Sequence, residues 1–295
     1  MVRVTKSRIG NQTYYYLEHS FRDKGKVKNK RKYLGKTLPK DVDKMKAELM
    51  SEVYRERWHP LLDSIREGYS KESQTMPKSL RDKELKTFSV RFTYDTSRIE
   101  GSTLTFRETA DLLERGMTPG ERPLGDVKEA EAHEKLFYEM LGWDKDISME
   151  TILYCNKRLL EGTKPDIAGK IRSHQVAISG SKFTPPSPVE LYPLLQDFLG
   201  WYRKNKGRLH PVELAALVHL KLVTIHPFGD GNGRVSRLLM NFVLCRHGSP
   251  MLNILYEKRD SYYNALERSQ TTGDDSIFVQ WMFRRYVGTY KRFVG

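Results

Sequence analysis

The sequence predicts a mainly α-helical protein with a small β meander at its N-terminus. Beyond residue 40, apolar residues recur at the three- and four-residue spacing of amphipathic helices in one segment after another. Before residue 40, apolar and polar residues alternate around the turn dipeptide Gly10-Asn11. With 38% hydrophobic residues among 295, the chain has enough apolar surface for a core, which excludes a wholly disordered protein.

The first forty residues predict three strands. Val2 and Val4 alternate with polar residues, and the run from Tyr14 to Leu17 is rich in β-prone side chains. A charged connection around Gly25 then leads to a last run at 31–34. We therefore expect a three-stranded basic meander over residues 1–40.

This segment also holds most of the net charge. The whole chain has a formal charge of +14, and residues 1–40 carry twelve basic and two acidic side chains, so the remainder is close to balanced. A basic module indicates a polyanionic partner, and a nucleic-acid-binding regulator is one alternative that the charge supports. Tyr14, Tyr15 and Tyr16 would then stack on bases, or else pack within a small sheet.

Helical spacing continues from residue 41 almost to the C-terminus. The predicted helices span 41–72, 78–97, 106–117, 124–142, 148–161, 189–205, 210–225, 232–247, 258–270 and 275–293. One segment departs from this pattern, because residues 175–181 alternate like a strand and a proline-rich run at 185–188 follows. A lone hairpin in a helical domain has no sheet to complete, so we expect a projecting β-hairpin flap at about 174–184.

Several features bear on location. Two cysteines, Cys155 and Cys245, cannot form a disulfide framework and lack zinc-ligand spacing, which favours a reducing compartment. The N-terminus has no apolar signal region, and the longest apolar stretch, Leu214 to Ile225, is shorter than the ~20 residues that span a bilayer. We expect a cytoplasmic protein without a membrane partner.

The twelve residues from His226 to Arg237, HPFGDGNGRVSR, predict chemistry on a nucleoside triphosphate. A glycine-rich loop that opens a helix presents free N–H groups and the positive end of the helix dipole to an anion. Arg234 and Arg237 lie one turn apart and can contact the same phosphate chain. Asp230 is a hard oxygen ligand suited to Mg²⁺, and His226 can accept a proton near neutral pH. Phosphoryl or nucleotidyl transfer is therefore expected.

These residues resemble the Fic-family signature HPFx(D/E)GNGRxxR at every defined position, and the similarity extends over roughly 88–290. The resemblance implies an all-α Fic-type bundle that transfers AMP from ATP to a Ser, Thr or Tyr hydroxyl of a protein and releases pyrophosphate. Gly233 stands where the phosphotransferase branch of the family has lysine, which favours AMP transfer. The chain would comprise the basic module at 1–40, a helical region with an inhibitory helix at 41–105, and a Fic catalytic core at 106–295.

The resemblance also implies individual roles. His226 would deprotonate the target hydroxyl, and Asp230 would hold Mg²⁺ between the α- and β-phosphates. The remaining motif residues would bind the nucleotide: the α-phosphate by Asn232 with the N–H groups around Gly231 and Gly233, the β-phosphate by Arg234, and the γ-phosphate by Arg237.

A second pattern precedes the main motif. Thr96 to Gly101 fits (S/T)xxxE(G/N), which resembles the inhibitory helix of the family. The resemblance implies that Glu100 pairs with Arg237 and occupies donors that the γ-phosphate needs. A deAMPylase is an alternative for the same site, with Glu100 positioning water and His226 donating a proton. A plain helix C-cap would also account for Gly101.

Two further regions resemble parts of the family's active site. Val176 and Ile178 would lie in the flap, which pairs main chain to main chain with an extended segment of the target protein. The segment 259–266 resembles the helix that lines the adenine pocket, with Tyr263 as the base contact and Gln270 where some relatives have Asn. The protein itself is a further expected target, through auto-AMPylation.

Overall fold

The computed structural model describes residues 2–23 and 26–294, with side chains at 22 and 23 left out of the description. Within that part, eleven α-helices and one three-stranded sheet confirm the mainly α fold with an N-terminal meander. The elements form two compact units. One comprises the residues up to Ile65 together with those from Tyr290 onward, and the other spans Arg66–Thr289.

The sheet has the predicted antiparallel order. Its strands are β1 (Arg3–Ile9), β2 (Gln12–Asp23) and β3 (Lys26–Gly35), with β2 in the middle. The strands continue through most of the predicted charged connection, because exposed charged side chains do not prevent backbone pairing across a ladder. Gly25, the centre of that connection, lies outside the described residues.

Helix α1 (Val42–Arg57) covers one side of the sheet in the same unit. Leu17 of β2 is fully buried, as are Leu49 and Val53 of α1. The single helix expected over 41–72 is instead two helices, α1 and α2 (His59–Thr75). Pro60 lacks the N–H that would continue the first helix, so the chain restarts there.

The larger unit contains nine helices in its described residues, and their bounds lie within two residues of prediction except at the end of the last. These are α3 (Lys78–Ile99), α4 (Phe106–Arg115), α5 (Leu124–Leu141), α6 (Met149–Leu160), α7 (Pro188–Asn205), α8 (Pro211–Ile225), α9 (Asn232–Arg246), α10 (Arg259–Thr272) and α11 (Ser276–Thr289). Short 3-10 turns follow at Tyr256–Lys258 and Lys291–Phe293.

Helices α8 and α9 form the centre of this unit. All residues of α9 from Asn232 to Leu244 are buried, and α8 buries residues on every side. A helix buried all round needs neighbours all round. Helices α3, α5 and α6 pack on α9, while α7 and α11 pack on α8. The loop that joins α8 to α9 is therefore anchored among these helices, with Phe228 and Gly231 buried and Asp230 half-buried.

The flap segment corrects one prediction, because residues 171–187 form a turn but no strands. The Ser181 N–H donates to the Ile178 carbonyl at 3.1 Å. This bond closes the turn, and it is the one backbone hydrogen bond between the two limbs of residues 171–187. The two limbs form no ladder of backbone hydrogen bonds, because two prolines on the second limb have no N–H to donate. In addition, the Gln175 side-chain amide donates to the Pro185 carbonyl at 2.9 Å, which occupies that acceptor. The alternation persists: Val176 and Ile178 are half-buried.

In the part of the chain that the structure describes, no helix combines the length and the apolar character needed to cross a membrane.

Candidate active site

The loop between α8 and α9 has a constrained backbone. His226 ends α8 with φ 52°, and it is the one non-glycine residue with positive φ among those described. The left-handed region is costly for a side chain such as His, and this cost is typical of functional sites. Gly231, with φ 80°, caps the start of α9, where only glycine is free of strain.

The imidazole of His226 is held as a neutral ring. Its Nδ1–H donates to the Val223 carbonyl at 3.2 Å, which leaves Nε2 as the nitrogen with a free lone pair. Burial lowers the pKa of His226 below its ordinary value of 6.5. The ring is therefore ready to accept a proton at neutral pH.

Arg172, which lies before the flap, locks this arrangement. Its side chain is 4% exposed and donates to three backbone carbonyls. The acceptors are His226 at 2.9 Å, His174 at 2.9 Å and Pro186 at 2.6 Å. One guanidinium thus ties both ends of the flap to the loop that carries His226.

The first turn of α9 provides backbone donors. Its first helical bond runs from the Val235 N–H to the Gly231 carbonyl, so the preceding N–H groups point out of the helix end. The Asn232 side chain makes contacts within the loop itself. Its amide donates to the Phe228 carbonyl at 2.8 Å and accepts the Phe228 N–H at 2.9 Å. One amide N–H and the amide oxygen thus hold the loop, and contact of the second N–H with an anion stays a prediction.

Gly233 is a point of close approach. A Cβ atom there would overlap Oε1 of Glu100 and would lie 2.9 Å from a terminal nitrogen of Arg237. Glycine at this position leaves room for an oxygen anion against the helix end.

Arg237 is the charge centre of the site, with 1% of its side chain exposed. Its Nε donates to Thr96 Oγ1 at 2.6 Å, and one terminal nitrogen donates to the Thr96 carbonyl at 3.2 Å and to Glu100 Oε1 at 2.6 Å. The other terminal nitrogen donates to the Tyr262 hydroxyl at 3.3 Å. The structure thus brings Glu100 and Arg237 together, and every guanidinium nitrogen has a partner.

Arg234 and Asp230 belong to an ion network that the sequence analysis did not anticipate. Arg234 pairs with Glu129 and, at 3.1 Å, with Asp230, while Lys164 pairs with Asp230 and, at 3.5 Å, with Glu129. Burial acts to raise the pKa of Asp230, but Arg234 and Lys164 outweigh it and the pKa is lowered. Asp230 is therefore ionised at neutral pH.

Asp230 fits a site for Mg²⁺. It presents a half-buried carboxylate beside the N–H groups of a helix start, where phosphate oxygens are favoured. One carboxylate completed by phosphate oxygens and water is a common way for proteins to hold this ion. Lys164 contacts the Oδ2 atom of that carboxylate, and it would have to yield this oxygen to a metal ion.

Two buried histidines lie below the arginines. Burial, together with Arg234 and Arg237, lowers the pKa of His133 to about 3, and burial likewise lowers the pKa of His219. His133 contacts the Thr93 hydroxyl at 2.9 Å, and His219 contacts the Tyr262 hydroxyl at 3.0 Å. Neutral rings here keep further positive charge away from the two guanidinium groups.

The residues expected around adenine make other contacts in this structure. The Tyr263 hydroxyl donates to the Ile99 carbonyl at 2.7 Å, at the end of the helix that carries Glu100, and the ring is 43% exposed. Gln270 donates to the Thr224 hydroxyl at 3.1 Å. Adenine recognition by these two side chains stays a prediction.

Comparison with known proteins agrees with this geometry. The sequence model of the Fic/DOC family matches residues 146–244. A Fic-domain-containing signalling protein from Bacteroides thetaiotaomicron is 30% identical with a TM-score of 0.69, and the alignment covers 77% of this chain and 94% of that one. The chain belongs to the Fic/DOC family.

Curated relatives of this Fic protein share its core. Protein adenylyltransferase fic-1 of Caenorhabditis elegans is 36% identical over 210 residues, which is 69% of this chain and 41% of that protein. Protein adenylyltransferase Fic of Nematostella vectensis is 37% identical over 65% of this chain and 45% of its own length. A structure of C. elegans Fic-1 has a TM-score of 0.68 at 28% identity, covering 87% of this chain and 77% of that one. The chain spans less than half the length of the curated relatives it matches.

The Fic signature identifies the loop but not its supports. Arg172, Glu129 and Lys164 lie outside the twelve-residue string, and nothing in their local sequence distinguishes them from ordinary surface charges. Tyr262 belongs to a predicted amphipathic helix and reads as a packing residue. Their roles depend on contacts between distant segments, such as the 105 residues that separate Arg234 from Glu129.

Proposed function

We propose that this protein transfers AMP from ATP to a Ser, Thr or Tyr hydroxyl of a protein and releases pyrophosphate. The observation that carries the proposal is a neutral His226 ring at one end of a loop whose other end is an anion-binding helix start beside a buried Arg237. The names of the curated relatives, protein adenylyltransferases, support the same reaction.

In this reaction, Nε2 of His226 accepts the hydroxyl proton as the oxygen forms a bond to the α-phosphorus. The bond between the α-phosphorus and the bridging oxygen breaks, and that oxygen leaves with pyrophosphate. The N–H groups of Gly233 and its neighbours stabilise charge on the α-phosphate, while Arg234 and Arg237 neutralise the departing phosphates. Mg²⁺, when bound, would neutralise the phosphate charge, and Asp230 is the residue that would hold it.

Glu100 acts as a brake in this proposal. Its carboxylate accepts a hydrogen bond from one terminal nitrogen of Arg237 at 2.6 Å. The same carboxylate fills the space next to Gly233. A γ-phosphate at the same guanidinium would meet this negative charge at close range. ATP then binds with its triphosphate displaced, and the α-phosphorus is out of line with the attacking hydroxyl.

The flap would dock the target protein. Residues 171–187 form no strand pair, so main-chain groups there are open to an extended segment of a partner. Val176 and Ile178, half-buried on the alternate positions, would cover the target residue. Auto-AMPylation is expected when a hydroxyl of a second copy reaches the same place.

The test uses ATP labelled at the α-phosphate, whole-cell lysate and the full chain. We expect weak labelling by the wild type, labelling at least about tenfold stronger by Glu100→Gly, and none by Glu100→Gly/His226→Ala. ATP labelled at the γ-phosphate is the control for phosphotransfer and should leave proteins unlabelled. Equal labelling by wild type and Glu100→Gly would show that Glu100 does not inhibit the transfer.

Removal of AMP is a second candidate function of the same residues. Among the described residues, Glu100 uses Oε1 for Arg237, whereas Oε2 makes no hydrogen bond and the side chain is 28% exposed. That free oxygen can hold a water molecule near His226, and the charge of Glu100 partly offsets the lowering of the His226 pKa by burial.

AMPylated protein from the first experiment serves as substrate for the second. If removal is an activity of this site, wild type releases AMP and both Glu100→Gln and His226→Ala do not. Release by Glu100→Gln at the wild-type rate would exclude the water-positioning role of Glu100.

A further inference from the structure

We propose that the open face of the N-terminal sheet binds single-stranded nucleic acid. The open face is defined as the side of β1–β3 that points away from α1, with Arg3, Tyr14, Tyr16, Arg31, Tyr33 and Lys36 as its binding side chains. This binding is independent of adenylyl transfer, because none of these residues belongs to the site between α8 and α9.

Strand register separates the two faces. Leu17 is buried under α1 and pairs with Val4 and Lys32, so these residues share the covered side. Neighbouring residues along each strand alternate. Tyr16 pairs with Tyr33, and Glu18 pairs with both Arg3 and Arg31, which places these five side chains on the open side.

Helix α1 forms ion pairs with two lysines of the covered face. Lys30 pairs with Glu52 at 3.2 Å and with Glu56, and Lys32 pairs with Glu48 at 3.3 Å. In the described part of the chain, Arg31 and Lys36 make no ion pair, and their charged groups lie over tyrosine rings instead. The open face therefore offers positive charge directly beside its tyrosine rings.

The open face also carries a cluster of aromatic rings. The centroids of Tyr16 and Tyr33 lie 5.3 Å apart, and those of Tyr14 and Tyr33 lie 6.3 Å apart. Arg31 stacks 3.6 Å above the Tyr16 ring and Lys36 lies 5.9 Å from that of Tyr14. Tyr33 is 52% exposed although it is a large aromatic residue within a strand.

Rings interleaved with cations match the chemistry of an unpaired nucleic acid strand. Bases stack on tyrosine rings and on guanidinium planes, while phosphates meet the flanking Arg and Lys groups. A duplex hides the faces of its bases, so it would use the charges but not the rings. The open face carries three tyrosine rings, which are enough to stack with about two or three bases.

The experiment measures fluorescence anisotropy of the full chain with labelled oligonucleotides of about 15 nucleotides, as single-stranded RNA, single-stranded DNA and duplex DNA. We expect both single strands to bind more tightly than duplex, with affinity falling as salt rises. Tyr33→Leu and Tyr16→Leu should each weaken binding about fivefold or more, since leucine keeps apolar area but not a stacking face.

A matched pair of variants separates a specific face from diffuse charge. Arg31→Gln and Lys32→Gln each remove one positive charge from neighbouring positions on opposite faces. Arg31→Gln should weaken binding at least about fivefold and Lys32→Gln less than about twofold. The proposal is overturned if Arg31→Gln and Lys32→Gln lose the same affinity, or if both tyrosine replacements bind as tightly as the wild type. It is also overturned if duplex DNA binds as tightly as the single strands. Circular dichroism checks that the variants keep the fold.

Discussion

At the scale of single residues, the site depends on charges that exist only in pairs. Arg237 is almost fully buried and is neutralised by Glu100, and Arg234 is shared between Glu129 and Asp230. Buried guanidinium groups of this kind need a partner because the cost of an unpaired charge in the interior is several kcal/mol. The ion pairs of Arg234 and Arg237 that nucleotide binding would rearrange are therefore also the pairs that stabilise the structure without nucleotide.

The first residue-scale prediction concerns the pH dependence set by His226. Burial lowers its pKa, so the proton-accepting form already dominates at pH 6.5. In the Glu100→Gly form, log kcat/KM for AMP transfer should rise by about one per pH unit at low pH and level off below pH 6.5. The rate–pH profile measures this, and an inflection at or above pH 6.5 contradicts it.

Lys164 contacts the Oδ2 atom of Asp230, which is the oxygen that a metal ion would use. Lys164→Met removes the competing cation, so Mn²⁺, as a paramagnetic probe of the Mg²⁺ site, should bind about fivefold more tightly in the presence of ATP. Binding is read by electron paramagnetic resonance, without turnover. Lys170→Met, an exposed lysine on the same loop, is the matched control. Unchanged Mn²⁺ affinity in Lys164→Met would show that the lysine does not compete.

At the scale of elements, the flap and the catalytic loop are one assembly. Arg172 donates to backbone carbonyls at both ends of the flap and at His226, so the three segments cannot move independently. The strained backbone of His226 is then supported by contacts that reach well beyond its own helix.

Replacing Arg172 by Lys tests this assembly. A single ammonium group cannot reproduce the fork that bonds three carbonyls. We expect Arg172→Lys, in the Glu100→Gly form, to lower kcat at least about tenfold with KM for ATP changed less than about twofold. The free energy of unfolding should fall by about 1 to 3 kcal/mol, because two part-buried carbonyls lose their donor.

Arg203→Lys, at an exposed position of α7, is the control and should match its parent in both assays. A parallel rise in KM and fall in kcat would indicate that Arg172 acts on ATP binding rather than on His226.

The elements also show how far the sequence could predict the structure. Helix bounds follow from local spacing and stop signals, and they were predicted almost residue by residue. The break at Pro60 and the unpaired flap were missed, since strand alternation at Val176 and Ile178 does not reveal whether a partner strand is present. The pairing of Glu100 with Arg237 spans 137 residues and was expected only from the family resemblance. Arg172, Glu129 and Lys164 act through contacts that no local pattern indicates.

At the scale of the whole molecule, charge and chemistry are divided between the two units. Residues 1–40 carry most of the net charge, whereas every residue of the candidate site lies within Arg66–Thr289. The larger unit buries two histidines, His133 and His219, in their neutral form, and this burial makes its stability depend on pH.

Acid should destabilise the protein before its carboxylates titrate. His133 and His219 are neutral and buried in the folded state, with pKa values far below 6.5, while the unfolded chain protonates them near 6.5. The unfolded state therefore binds more protons below pH 6.5, and stability falls as the pH is lowered. Each histidine contributes about 1.4 kcal/mol per pH unit between 6.5 and 5.

Urea unfolding at several pH values measures this slope. His133→Asn and His219→Gln, which each keep one hydrogen-bonding nitrogen, should each lower this slope by about 1 kcal/mol per pH unit. The exposed His174 is the comparison, and His174→Asn should leave the slope unchanged. A wild-type stability that is flat between pH 7 and 5 is incompatible with this reasoning.

The burial of Arg237 has a consequence for how the resting and working states are related. A guanidinium that is 1% exposed is stabilised by a neighbouring anion, and in the proposed mechanism Glu100 and a nucleotide phosphate would compete for this place. By thermodynamic linkage, the free energy by which Glu100 stabilises the folded chain is subtracted from the binding of ATP in its reactive pose. If Glu100 is the proposed brake, inhibition and folding stability are coupled, because relief of the brake would exchange an internal counterion for an external one.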